Sequence, residues 1–203
     1  MKDTSTYLTL KGRSEGLYKE KGSKFIGIAV PCLNEEEAKV WLEKWRKEHH
    51  QARHLCYAYR FGRDQSIYRA NDDGEPNNSA GTPILGQIKA FDLTNVLVGV
   101  VRYYGGTKLG VGGLVNAYKT AAKEALENGA IVRMEVFQWY ELQFTYDEMT
   151  AVMQFINTNQ LEMSDPDFQI ECKLKIHLPL NSSLPLAEEM ELINVELKDL
   201  GIY

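Results

Sequence analysis

Hydrophobic and polar positions along this chain switch between a period of two and a period of about 3.6, which marks out strands and helices in turn. After a polar lead, KFIGIAVP (Lys24–Pro31) reads as a strand. Asn34 with Glu37 three residues on predicts a capped helix start, and Ala38, Trp41, Leu42, Trp45 and His49 then share one stripe. HLCYAYRF (His54–Phe61) alternates, with Leu55, Tyr57, Tyr59 and Phe61 on one face, and SIYRA (Ser66–Ala70) is set to pair with it across GRDQ as a β-hairpin. Turn residues crowd Asn71–Pro83, which predicts an ordered loop and then a helix from about Pro83 to Phe91. NVLVGVVRYY (Asn95–Tyr104) is the most apolar strand and is expected at the centre of a sheet, covered on both faces. It runs into GGTKLGVGG (Gly105–Gly113). A helix follows with Leu114, Ala117, Tyr118, Ala121 and Ala125 at helical spacing, stopped by Asn128-Gly129 after Glu127.

The remainder reads as strand Val136–Tyr146, helix Asp147–Asn159, strand about Leu161–Met163, strand Phe168–Leu178, helix Leu184–Val195 and a short last strand. That βαββαβ order predicts a ferredoxin-like domain with its helices on one face of an antiparallel sheet. The fold class expected is α+β, in two domains covering residues 1–134 and 135–203.

Charge divides along the same boundary. Residues 1–134 carry 20 Lys and Arg against 15 Asp and Glu, a net of +5, whereas residues 135–203 carry three lysines against 13 acidic residues, a net of −10. An anionic ligand is therefore to be sought on the first segment, because the second repels phosphate at long range. With 44% apolar residues the chain can bury a core. It has no apolar run of membrane-spanning length and no signal-peptide h-region at its start, so a cytoplasmic protein with no membrane partner is expected. Cys32, Cys56 and Cys172 lie far apart without a C-x-x-C pair, which predicts buried reduced thiols.

Two loops carry the candidate chemistry. The glycine loop is neither a Walker A motif nor a dinucleotide fingerprint, yet Gly105, Gly106, Gly110, Gly112 and Gly113 would let backbone N–H groups approach an anion beside Lys108 and a helix start. Positive φ and close packing explain the same glycines without a ligand. The acidic loop offers Asp72, Asp73 and Glu75, with Gly74, Ser79 and Gly81 around them, as acid, base or cation ligands, or as turn chemistry alone. The loop lacks the ligand ladder of an EF-hand, a helix-to-strand break between His50 and His54 spoils them as a metal pair, and no cofactor is called for. Arg53, Arg60, Arg63, Arg69, Arg102 and Lys108, interleaved with Tyr57, Tyr59, Tyr68, Tyr103 and Tyr104, suit phosphates and stacked bases, or else form an ordinary solvated sheet edge.

SKFIG (Ser23–Gly27), HLCYAYR (His54–Arg60), NDDGEPNNSAGTPIL (Asn71–Leu85) and RYYGGTKLGVGGLVNAY (Arg102–Tyr118) together resemble the IMPACT family and its bacterial YigZ branch. The resemblance implies an N-terminal domain like the second domain of ribosomal protein S-five, an α/β sandwich shared with elongation factor G, and a ferredoxin-like C-terminal domain. It places the family's surface motifs on Asp72, Asp73, Gly74, Glu75, Pro76, Gly81 and Pro83, and on Arg102, Tyr103, Gly105, Gly106, Lys108, Leu109, Gly110, Gly112 and Gly113, with no agreed catalytic role for any. Two features depart from the pattern. Asn116 stands where an arginine commonly precedes Ala-Tyr, and only a short lead precedes SKFIG, too short for the RWD domain of eukaryotic members. Those members resemble regulators of translation initiation.

The function expected is that of a non-enzymatic binding protein linked to translation or its regulation. It would contact RNA, ribosome or a translation factor through Lys24, Arg53, Arg102, Tyr103, Lys108 and the glycine loop, and meet a protein partner through its acidic C-terminal domain. A hydrolase of a small phosphate- or peptide-like substrate, using the acidic loop as acid, base or metal ligands, and a protein–protein adaptor remain as alternatives.

Overall fold

The structure is a computed structural model and describes residues 5–202. The chain divides into two compact units, one of Tyr7–Met134 and a second holding the chain from Glu135 onward with the described residues before Tyr7. Ser5 joins the second unit by accepting the Val136 N–H at 2.8 Å.

The first unit begins with β1 (Thr6–Leu10), β2 (Ser14–Glu20) and β3 (Ser23–Pro31), where the sequence pattern foretold only a lead and the last of these. Strand β2 is missed by pattern because few of its side chains are buried; it is held by its ladder to β3, from Ser14↔Ala29 to Glu20↔Ser23. Helix α1 (Glu35–Glu48) starts at Asn34, whose side chain accepts the Glu37 N–H at 2.9 Å, while Glu37 reaches back to the Leu33 N–H. Three glutamates in its first turn and Arg46 and Lys47 in its last complement the helix dipole. Strands β4 (His54–Phe61) and β5 (Ile67–Asn71) form the hairpin. Helix α2 (Gly81–Ala90) starts two residues earlier than its sequence suggests, for a reason given below. Strand β6 (Val96–Tyr103), helix α3 (Gly110–Glu127) and β7 (Ile131–Glu135), which pairs with β1, complete the unit.

The five-stranded sheet runs β2-β3-β6-β4-β5, every neighbour antiparallel. Strand β6, buried almost throughout, is central because its Val/Leu run feeds two cores. Val96, Val98 and Val100 meet α2 and α3, together with Ile84, Ile88, Ala117, Tyr118, Ala121 and Ala125. Leu97 and Val101 meet Trp45 of α1 on the opposite face. Arg102 and Tyr103, next in line, part in the same way, and this alternation sets up the site.

The second unit follows the order β8 (Phe137–Phe144), α4 (Met149–Thr158), β9 (Met163–Phe168), β10 (Cys172–Pro179), α5 (Leu186–Leu192) and β11 (Glu196–Ile202). Its sheet order, β11-β8-β10-β9 and antiparallel throughout, is the ferredoxin-like arrangement. Alternate residues Cys172, Leu174, Ile176 and Leu178 of β10 pack with Leu142 and Phe144 beneath Val152, Ile156, Leu186 and Met190. The second strand of this unit lies at Met163–Phe168, which the run expected at Leu161–Met163 only touches. The three cysteines are free and buried, and burial pushes the Cys32 thiol up to about 11. Among the described residues no helix is long and apolar enough to cross a membrane.

Candidate functional site

The acidic and glycine loops meet in the first unit, at the end of β6. A cleft of about 440 Å³ lies between them, lined by Arg53 and His54 before and in β4, by Glu75 and Pro76, by Arg102 and Tyr104, and by Lys108, Leu109, Gly110, Val111 and Leu114.

Its floor is a buried polar cluster. Arg102 donates to Glu75 Oε1 at 2.6 Å, and the Tyr118 hydroxyl donates to the same oxygen at 2.8 Å. Glu75 is 8% and Arg102 7% exposed, so this is an ion pair out of water, supplied with the further hydrogen bond such a pair needs. His54 Nδ1 lies 2.8 Å from the Asp73 carbonyl, which only accepts; Nδ1 therefore carries the proton, and Nε2 faces Glu75 Oε1 at 4.0 Å. The Cys56 thiol donates to the Asp72 carbonyl at 3.0 Å. Burial, with the Glu75 charge adding to it, pushes the Cys56 and Tyr118 protons well up, so both groups are hydrogen-bond donors and not nucleophiles.

The other two carboxylates are committed to the chain. Asp72 accepts the N–H groups of Asn78, Ala80 and Gly81 at 2.9, 3.0 and 2.8 Å. It thereby satisfies the start of α2 from outside the helix, which is why the helix begins at Gly81 with no cap of its own. Asp73 accepts the Leu55 N–H at 2.7 Å and an Arg46 bond at 2.8 Å. Ser79 turns its hydroxyl to the Pro76 carbonyl at 2.6 Å. Gly74, at φ +85°, makes the turn that brings Glu75 inward, and Gly81 packs against the Asn71 backbone.

Helix α1 has the Asn34 cap and α2 has Asp72 to accept its first N–H groups. At the start of α3, Leu109 sits at the cap position without a side-chain bond, and the first turn holds no acidic residue. Gly110, at φ +75°, and Gly112 are exposed in that turn, and an added Cβ at either would meet nothing within 4 Å. Gly113, by contrast, packs on Leu109, and Gly105 is architectural: a Cβ there would overlap the Gly22–Ser23 backbone. Gly106, at φ +87°, turns the loop. Among the described residues no ion pair engages Arg53 or Lys108, both exposed at the rim.

Residues 21–126 match the Impact N-terminal domain, just over half of the chain. The chain belongs to the IMPACT family. It is 30% identical over 190 residues to the IMPACT family member YvyE of Bacillus subtilis, covering 93% of this chain and 88% of that one. It is 35% identical over 161 residues to YigZ of Escherichia coli, 78% and 79% of the respective lengths. A solved structure described as a hypothetical protein superimposes with a TM-score of 0.74 at 30% identity, over 95% of this chain and 96% of the other.

Of the residues singled out in this IMPACT chain, the fold brings Arg53, Glu75, Arg102, Lys108 and Gly110 to one cleft. Lys24 does not line it; it lies exposed on β3, in register with Tyr103. Tyr103 points to the other side of the sheet, where its hydroxyl lies 2.9 Å from His49 Nδ1. Tyr104, one of the five tyrosines the sequence offered for stacking, lines the cleft; His54 and Tyr118 line or underlie it and were not among the expected site residues. For Tyr118 a signal existed, since a tyrosine on a buried helical stripe needs a partner for its hydroxyl.

Proposed function

We propose that this IMPACT protein is a non-enzymatic binding protein of the cytoplasm, acting in translation or its regulation, that holds RNA phosphates at the cleft of the Tyr7–Met134 unit. One observation carries the reading: the uncapped start of α3 opens beside two cations, Arg53 and Lys108, that no carboxylate neutralises. Helix N-terminal N–H groups and unpaired cations together favour an anion. Arg102 is not one of the contacts, because Glu75 neutralises it; it shapes the floor. The link to translation rests on the family's eukaryotic members, which resemble regulators of translation initiation. The second unit, with its net charge of −10, is left for a protein partner. The hydrolase alternative asks for an unengaged carboxylate, whereas Asp72 and Asp73 are taken up by backbone N–H groups and Arg46, and Glu75 by Arg102 and Tyr118.

Binding of RNA to the wild type should fall steeply with salt. The double change R53E/K108E, on exposed side chains, should weaken it at least tenfold and reduce the salt slope by about 2. Salt-insensitive or absent RNA binding, or an unchanged affinity in the double variant, would overturn the reading. Gly112→Ala separates binding from architecture. Its Cβ meets open space, so the helix should gain about 0.5–1 kcal/mol in a denaturant titration while RNA affinity drops.

A further inference from the structure

The cleft is more apolar than a phosphate seat requires. Pro76, Leu109, Val111 and Leu114 wall it, and Val111, in the first turn of α3, is 57% exposed. Tyr104 stands at the mouth, 41% exposed, with the guanidinium carbons of Arg102 and Arg53 at 5.4 and 5.9 Å from its ring centroid. An exposed ring beside an apolar wall and planar cations is the composition on which unstacked bases lie. Arg102, more than nine-tenths buried and lining the cleft, leaves its Nε–H without a protein acceptor. The volume suits one small planar group with its phosphate, and it does not admit a paired helix, whose bases are stacked away from side chains.

We infer that the cleft seats one splayed base of a single-stranded RNA, lying against Tyr104 and the wall of Pro76, Leu109 and Val111, with the adjoining phosphate at Arg53, Lys108 and the start of α3. This rests on the phosphate reading above and adds the strand type and the base seat to it. The protein then discriminates single strands from duplexes and is tolerant of sequence, because every base offers a flat face.

The experiment is a fluorescence anisotropy titration of a labelled single-stranded RNA and of a duplex of equal length, with a free mononucleotide as competitor. The proteins compared are the wild type, Tyr104→Ala, Tyr104→Phe and R53E/K108E, each checked for an unchanged unfolding midpoint. The strand should bind more tightly than the duplex. Tyr104→Ala should weaken strand binding about tenfold or more while leaving its salt slope and the duplex affinity in place, and Tyr104→Phe should retain wild-type affinity. Strand binding that Tyr104→Ala does not change, or that Tyr104→Phe loses equally, overturns the base seat while the phosphate reading stands. A mononucleotide that competes as tightly as the strand assigns the cleft to a free nucleotide and overturns the strand. A wild type that binds no RNA removes the phosphate reading and the base seat together.

Discussion

Changing Glu75 to alanine is expected to destabilise the protein by about 3–5 kcal/mol, because it strands the Arg102 guanidinium in the interior. The loss has two parts. Arg102 keeps its burial and loses its carboxylate partner, and the Tyr118 hydroxyl loses its acceptor. Glu75→Gln preserves an acceptor for both donors and should lose less, about 1–3 kcal/mol. Arg102→Met in the Glu75→Leu background removes both charges at once, so the double variant should be more stable than the sum of the single losses indicates, with a coupling of about 2 kcal/mol or more. Urea unfolding of the four proteins measures this cycle; single losses that simply add would show that the pair is not coupled. On the phosphate reading, Glu75→Gln also leaves the cleft one charge more positive and tightens RNA binding, whereas a catalytic carboxylate would give no such gain.

Gly27→Ala should be comparably severe, at about 3 kcal/mol, for a steric reason. Gly27 lies in the middle of β3, opposite Gly16 on one side and Val100 on the other. A Cβ there would stand 2.1 Å from the carbonyl oxygen of Ala121 and 2.8 Å from its carbon. Those are main-chain atoms of α3, so no rotamer change relieves the overlap, and the helix must lift from the sheet. Ala117, Ala121 and Ala125 are small for the same close approach. Since the start of α3 forms one wall of the cleft, on the phosphate reading the variant is expected to lose RNA affinity along with its unfolding midpoint. A variant with normal stability would contradict the packing described here. The contrast with Gly112, where added bulk meets open space, separates glycines that serve the fold from those that leave room for a ligand.

Which face a residue takes was legible wherever burial imposes a period. The central position of β6, the β4–β5 hairpin and the stripe of α3 all follow from alternation or helical spacing, as does the Asn34 and Glu37 start of α1 from local chemistry. Strands β1, β2 and β7 were not legible, since they are held by neighbours' backbones more than by an apolar pattern of their own. In the acidic loop the three carboxylates look alike in sequence. Only the folded loop distinguishes them: Asp72 closes α2, Asp73 pins β4, and Glu75 turns into the core to meet Arg102, 27 residues away in the chain.

The sequence by itself determined the α+β class, the order of elements from β3 through α3 and in the second unit, and the division of charge between the two halves, because these depend on local periodicity, local turn chemistry and composition, and its four ordered motifs gave the family. Tertiary structure alone decided that the two loops share a cleft, that Arg102 is spent on Glu75 while Arg53 and Lys108 stay available, and that Tyr104 rather than Tyr103 faces the site. The reason is physical: an ionic partner or an open face is set by which distant segments the sheet and helices bring within a few ångströms, and no local pattern encodes that distance.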